Sequence, residues 1–265
     1  MGGKLDMKDL SVGFIGGGRI TQLFMEAWNN QGKLPKKVWV SDNNAAVLES
    51  LKKKYSHIET ALADNSKPSS CDLVFLALHP PAIAAVLDEI KGKLKSSAFF
   101  ISLAPKISME KMSSALGGFT RIVRMIPNAP SVIHEGYNPV CFAPALSENE
   151  RSSLLHLFKI WGESPEVDEE KLEAYAILSA MGPTYFWFQL QQLRTLGGSF
   201  GLTQKETDQA LYEMIKGAAK TLLKSGREYD EVVNLIPVKP LGEEEQGIRQ
   251  IYETRLKGLY SKLKS

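Results

Sequence analysis

Residues 11–21 read SVGFIGGGRIT: an apolar run, three consecutive glycines, then the start of a helical stretch near Ile20. A strand that passes through glycines into a helix lets backbone approach a pyrophosphate, which then rests against the helix N-terminus. Gly16 takes the position of the tight bend and Gly18 that of closest approach, with Gly17 between them. Thr21 stands where a third Gly or Ala usually permits close helix–strand packing. A second β-rich run, VWVSDNN, follows and ends in Asp42. A carboxylate there hydrogen-bonds the ribose 2′-OH of NAD, whereas an Arg accommodates the 2′-phosphate of NADP. Asp42 is present and no Arg follows it, which argues for NADH. The residue has a second reading as the N-cap of a helix from Ala45, a role open also to Asn43 and Asn44.

Outward from the turn, strand candidates Val12–Ile15, Val38–Ser41, Leu73–Leu78, Phe99–Ser102, Arg121–Met125 and Val140–Phe142 alternate with amphipathic stretches such as 45–55 and 83–94. This βαβ alternation predicts a parallel sheet covered on both faces, an α/β architecture. From about residue 147 the pattern becomes helical. Ser147-Glu148-Asn149-Glu150 and Thr203-Gln204-Lys205-Glu206 fit capping boxes. Leu154, Phe158 and Trp161 follow the first, and Leu211, Met214, Ile215, Ala218 and Leu222 form an apolar stripe after the second, before Gly226. The turn-forming, acidic GESPEVDEEK divides an N-terminal dinucleotide-binding domain, 1–165, from an all-α C-terminal domain, 166–265.

The chain has 265 residues, 43% of them hydrophobic, enough for one large domain or two ordinary ones. A net charge of +2 gives no general attraction to nucleic acid or anionic lipid. Lys52-Lys53-Lys54 and the basic run 257–264 read as solvated helix faces. Two cysteines, Cys71 and Cys141, lack metal-ligand or redox spacing, so neither disulfides nor a metal site is expected. The N-terminal MGGKLDMKDL has no signal-peptide character, and no apolar run reaches the roughly 20 residues of a bilayer span. A soluble cytoplasmic protein is the expectation.

VGFIGGGRIT, LVFLALHPP, RIVRMIPNAP and LSAMGPTYFWF occur in the order and at the distances of the pyrroline-5-carboxylate reductases, which the chain resembles over almost its whole length. The resemblance implies a Rossmann-type domain followed by a helical dimerisation domain, an NADP or NAD cofactor, and hydride transfer to a cyclic imine to form proline. It implies that Gly16, Gly17, Gly18, Arg19 and Ile20 bind pyrophosphate, with Arg19 where the family commonly has Asn. Asp42 and Asn43 then face the adenosine ribose. Ala77, Leu78, His79 and Pro80 line the nicotinamide ribose, His79 replacing a usual Lys, and Asn128 in Pro127-Asn128-Ala129-Pro130 borders the reduced carbon. Ser179, Thr184 and Tyr185 become the catalytic candidates, and Gly182 and Pro183 substrate contacts.

Two departures stand out. Ala180 and Met181 replace a family Gly-Ser pair, and Phe188 a frequent Thr, giving a tighter, less polar pocket. Near the C-terminus Lys239-Pro240-Leu241-Gly242-Glu243-Glu244-Glu245 replaces a Ser-Pro-Gly-Gly-Thr-Thr nest, so that Gly242, Glu243 and Glu244 stand where a substrate carboxylate is received. Acidic residues suit a helix's first turn but oppose an incoming carboxylate. Alternatives are therefore a reductase or dehydrogenase of the same fold acting on another imine, ketone or hydroxy acid, and a non-catalytic nucleotide-binding dimer. The partners expected are a small imine or keto substrate and a second copy of the chain, without nucleic acid or membrane.

Overall fold

The structure is a computed structural model that describes residues 10–264; the N-terminal reading of residues 1–9 lies outside them. Four strands are mostly apolar and buried along their whole length, with Arg124 in β6 the one charged residue among them: β1 (Ser11–Ile15), β4 (Leu73–Leu76), β5 (Phe99–Ser102) and β6 (Ile122–Met125). Such runs belong in the middle of a sheet that helices cover on both sides. β2 (Lys37–Asp42) and β3 (Glu59–Leu62) extend the sheet on one flank, and β8 (Val140–Phe142) closes the other.

The order is β3-β2-β1-β4-β5-β6-β8. The first six strands are parallel and β8 runs antiparallel to β6. This doubly wound order reverses direction between β1 and β4, where ligands bind beyond the carboxyl ends of the strands. Helices α1 (Arg19–Asn30), α2 (Ala45–Lys54), α3 (Ser66–Ser69), α4 (Pro80–Ile90) and α5 (Met109–Ala115) fill the crossovers. The apolar run after residue 73 leaves the sheet at Leu76, two residues before its expected end, and α4 begins at Pro80, three before its expected start.

A two-stranded parallel ribbon of β7 (Gly136–Tyr137) and β9 (Gly162–Glu163) flanks α6 (Glu148–Phe158), which opens with the expected Ser147–Glu150 capping box. Trp161, just past α6, completes the core: its ring stacks on Phe24 at 3.8 Å between centroids, lies edge-on to Phe75 at 5.9 Å, and its indole N–H donates to the Phe24 carbonyl. Cys71 and Cys141 are buried free thiols, each pushed up to about 11 by burial.

Two compact units partition the chain. One ends at Met181 and includes the chain again from Tyr260; the other is Gly182–Leu259. The expected division at 165 lies inside the first unit, because residues beyond it are anchored on β6. Arg124, 3% exposed, pairs with Glu169 at 2.9 Å and with Glu173, in α7 (Leu172–Tyr175), at 2.7 Å. The same two carboxylates accept the Met109 and Lys106 backbone N–H groups. Burial pushes the Glu173 carboxyl up, but the Arg124 hydrogen bond and charge outweigh it and hold the group below its ordinary value.

The second unit contains α8 (Pro183–Ser199), α9 (Gln204–Lys224), α10 (Tyr229–Val233) and most of α11 (Glu245–Lys264). α9 opens with the expected Thr203–Glu206 capping box. Large apolar side chains on α8 and α9, among them Phe186, Trp187, Phe188, Met214 and Leu223, are exposed in the single chain.

Candidate functional site

The carboxyl ends of β1, β4 and β6 form one edge of the sheet, and the turn after β1 is built for close approach. Gly16 has φ +101°, and an added Cβ would lie 2.5 Å from the Ala77 carbonyl oxygen and 3.0 Å from Leu78 Cδ2. The left-handed region together with that neighbour restricts the position to glycine. Gly18 is the opposite case: its backbone is ordinary extended chain, and an added Cβ would meet nothing within 4 Å. The space beyond it is open.

Gly18 is also the N-cap of α1 and offers no side chain to the helix's first amides, and the first turn contains no acidic residue. Those N–H groups form an anion site by charge and geometry. Arg19, exposed in that first turn, is a cation that the helix dipole disfavours unless an anion sits beside it. Ile20 turns inward onto the core. Thr21 is fully buried and its hydroxyl donates to the Gly16 carbonyl at 2.6 Å, so the departure from Gly or Ala fastens the turn.

Asp42 braces the same turn. Its Oδ2 accepts the Gly17 N–H and its Oδ1 the Asn44 N–H, each at 2.8 Å. The N-cap of α2 is Asn44, whose side chain accepts the Ala46 N–H. Of the roles open to Asp42, helix capping therefore falls to Asn44. A carboxylate has about four acceptor sites, so two remain open on Asp42. Asn43 is exposed beside it. The brace is the part of the site that sequence reading missed, because no local pattern says where a carboxylate at a strand end points.

Ala77 and Leu78 lie against the glycine turn, and His79, exposed, is the N-cap of α4 with Pro80 in its first turn. At the end of β6, Asn128 is buried at 6% exposure, and its side chain reaches the Tyr137 N–H and the Ser179 carbonyl. Ser179 lies in a single π-helical stretch, Ala176–Ala180, a form concentrated at functional sites. Its hydroxyl donates to the Tyr175 carbonyl at 2.9 Å, leaving its lone pairs to accept.

The remaining candidates fall in the second unit. Gly182 precedes Pro183 at the start of α8, where a proline leaves no bond within that helix unmade. Thr184 is exposed, and Tyr185 packs edge-on against Tyr252 at 5.8 Å; burial holds its hydroxyl above the ordinary phenol value, so it stays protonated. Gly242, Glu243 and Glu244 form the exposed turn before α11. Glu245 bends along the helix to Arg249 at 2.6 Å, and that pairing holds its carboxyl below the ordinary value. Among the described residues no group of three or more His, Cys, Asp or Glu could hold a metal ion, and no helix is long and apolar enough to cross a membrane.

Comparison with known proteins adds names to this geometry. A family model described as NADP oxidoreductase, coenzyme F420-dependent, matches residues 11–106, and one described as pyrroline-5-carboxylate reductase dimerisation matches residues 169–263. The chain is 30% identical to pyrroline-5-carboxylate reductase 3 of Xenopus laevis over 82% of its length and 78% of the relative's. It is 24% identical to pyrroline-5-carboxylate reductase of Methanosarcina acetivorans over 96% and 94%. Among solved structures, Plasmodium falciparum pyrroline carboxylate reductase with NADP bound superposes with a TM-score of 0.76 at 21% identity, covering 97% of this chain and 98% of the other. The enzyme from Coxiella burnetii gives 0.68 at 25% identity over 96% and 94%.

Proposed function

The chain belongs to the pyrroline-5-carboxylate reductase family, and from that premise we propose how its residues divide the work of reducing a cyclic imine. The protein is an NAD(P)H-dependent oxidoreductase that converts 1-pyrroline-5-carboxylate to proline. The observation that carries the assignment of the site is the glycine turn: Gly16 pinned against Ala77, Gly17 held by Asp42, and open space over Gly18 at the uncapped start of α1.

In this reading the turn and Arg19 receive the pyrophosphate, Asp42 and Asn43 the adenosine ribose, and residues 77–80 the nicotinamide ribose. The cofactor, when bound, supplies a hydride to the imine carbon. The protein's part is to hold the two reactants in register and exclude water. A protonated imine is already electrophilic, so hydroxyl groups suffice. Ser179, with its own proton committed, accepts from the ring nitrogen, and Thr184 and Tyr185 donate. Gly182, Pro183 and the turn at Gly242 contact the substrate.

The deciding experiment is steady-state oxidation of NADPH and of NADH with pyrroline-5-carboxylate, set beside a panel of other cyclic imines and keto acids. Efficient turnover of pyrroline-5-carboxylate alone is the expected result, and inactivity with it overturns the reading. A second reading, another imine or keto acid as the substrate, rests on exposed Glu243 and Glu244 at the start of α11; the panel separates it. Titration with both cofactors tests Asp42, whose carboxylate favours NADH.

The uncovered apolar faces of α8 and α9 support a homodimer, with residues from 166 onward carrying the association, and we assign its work to the cytoplasm. Equilibrium sedimentation of the full chain at micromolar concentration should give twice the 29.3 kDa monomer mass. A monomer under those conditions refutes it.

A further inference from the structure

Ser179 poses a bonding problem. In an α-helix its carbonyl would accept from the N–H of residue 183, but residue 183 is a proline and has none. The chain is wound as a π-helix there, with the Met181 N–H reaching back to Ala176. Asn128 brings a donor from the end of β6: its Nδ2 donates to the Ser179 carbonyl at 3.3 Å while its Oδ1 accepts the Tyr137 N–H at 3.0 Å. A backbone N–H can only donate and a carbonyl can only accept, so these two partners fix which way the amide faces. The Asn128 backbone N–H is held in turn by the fully buried Asn138 at 2.9 Å. Both ends of the Asn128 side chain and its backbone N–H are held by protein, which leaves one amide N–H and one oxygen lone pair over.

We propose that Asn128 is a positioning residue, not a cofactor ligand: it fastens the π-helical turn that carries Ser179 to the carboxyl edge of the sheet. This rests on the assignment of Ser179 and of that edge given above. Arg124, paired with Glu173 ahead of the π-helix, is a coarser anchor for the same segment. Asn128 sets the final placement of Ser179, and its loss lowers the rate of reduction while leaving cofactor affinity in place.

The test uses the full chain and the near-isosteric Asn128→Asp, with Asn128→Ala beside it. The introduced carboxylate still accepts from Tyr137 but cannot donate to Ser179. A misplacement of order 1 Å costs about 100-fold, so kcat for pyrroline-5-carboxylate should fall by roughly 30- to 100-fold while the Kd for NADPH stays within about two-fold. Protonation turns the carboxyl into a donor, and burial raises its pKa; the ratio of Asn128→Asp to wild-type kcat should therefore recover as pH is lowered, which Asn128→Ala does not do. Hydrogen exchange gives a readout independent of turnover: amides of residues 176–182 should exchange faster in both variants, with β1 and β4 unchanged. Unaltered exchange at 176–182, unaltered kcat, or a Kd for NADPH that rises in step with the loss of kcat would each overturn the proposal. Wild-type inactivity would instead overturn the substrate assignment, while the exchange data still decide the role of Asn128.

Discussion

Gly18→Val is expected to leave the protein folded and to remove most of its affinity for NADPH. A Cβ at this position meets no protein atom within 4 Å, and the backbone is extended with φ −68°, which a β-branched residue adopts without strain. The methyl groups would stand in the space through which, in the site proposed above, the pyrophosphate reaches the first amides of α1. Overpacking of this kind costs about 1–3 kcal/mol, and the upper value corresponds to a rise in Kd of roughly 100-fold. Thermal melting should be nearly unchanged. Gly16→Val provides the contrast, because φ +101° and the Ala77 carbonyl at 2.5 Å oppose any side chain. It should lower stability, at about 1–3 kcal/mol for the backbone conformation alone. Wild-type NADPH affinity in a folded Gly18→Val protein would show that the cofactor binds elsewhere.

The second large effect belongs to Arg124. Arg124→Met leaves the Glu173 carboxylate, 6% exposed, without its cation. Breaking a buried pair from one side costs about 3–5 kcal/mol, whereas replacing both partners is often neutral. Denaturant unfolding should show a loss of that size for Arg124→Met and recovery of most of it in Arg124→Met combined with Glu173→Gln. The folded-state value of Glu173 is held below its unfolded one. The pairing therefore stabilises fully above the unfolded carboxylate value, about 4.3, and is lost as pH falls through the folded value. The gap between wild type and Arg124→Met should narrow on acidification, and a gap independent of pH would contradict the pairing.

Much of this is legible in the sequence, for identifiable reasons. The four central strands announce themselves because burial on both faces demands predominantly apolar runs, which the buried and ion-paired Arg124 interrupts only in β6, and the capping boxes because they are local hydrogen-bond patterns. β3 was not expected: its four residues, ETAL, bury only Ala61, and an edge strand needs no apolar run. Turn-forming composition suggests a division at 165, while the compact units part at Met181; composition carries no sign of the ion pairs that Arg124 makes 45 and 49 residues away. In the site, the glycines and Asp42 stood out by spacing, whereas the direction of the Asp42 carboxylate did not. The bond from Asn128 to Ser179 spans 51 residues and rests on a missing N–H at Pro183. The proline was visible; its remedy was not.

The stacking of Trp161 on Phe24 also sets a timetable for synthesis. The two residues are 137 positions apart, and at roughly 5–20 residues per second a ribosome takes about 7–27 s to pass from one to the other. Throughout that interval the nascent chain has made the face of α1 that bears Phe24 and Trp28 but not the ring that covers it. For those seconds, with only Phe14 and then Phe75 to meet it, the aromatic face stays incompletely covered and open to chaperones or to neighbouring chains on the same message. Ribosomes stalled anywhere between α1 and α6 would therefore hold a sticky half-core, and release of Trp161 is the event that seals it.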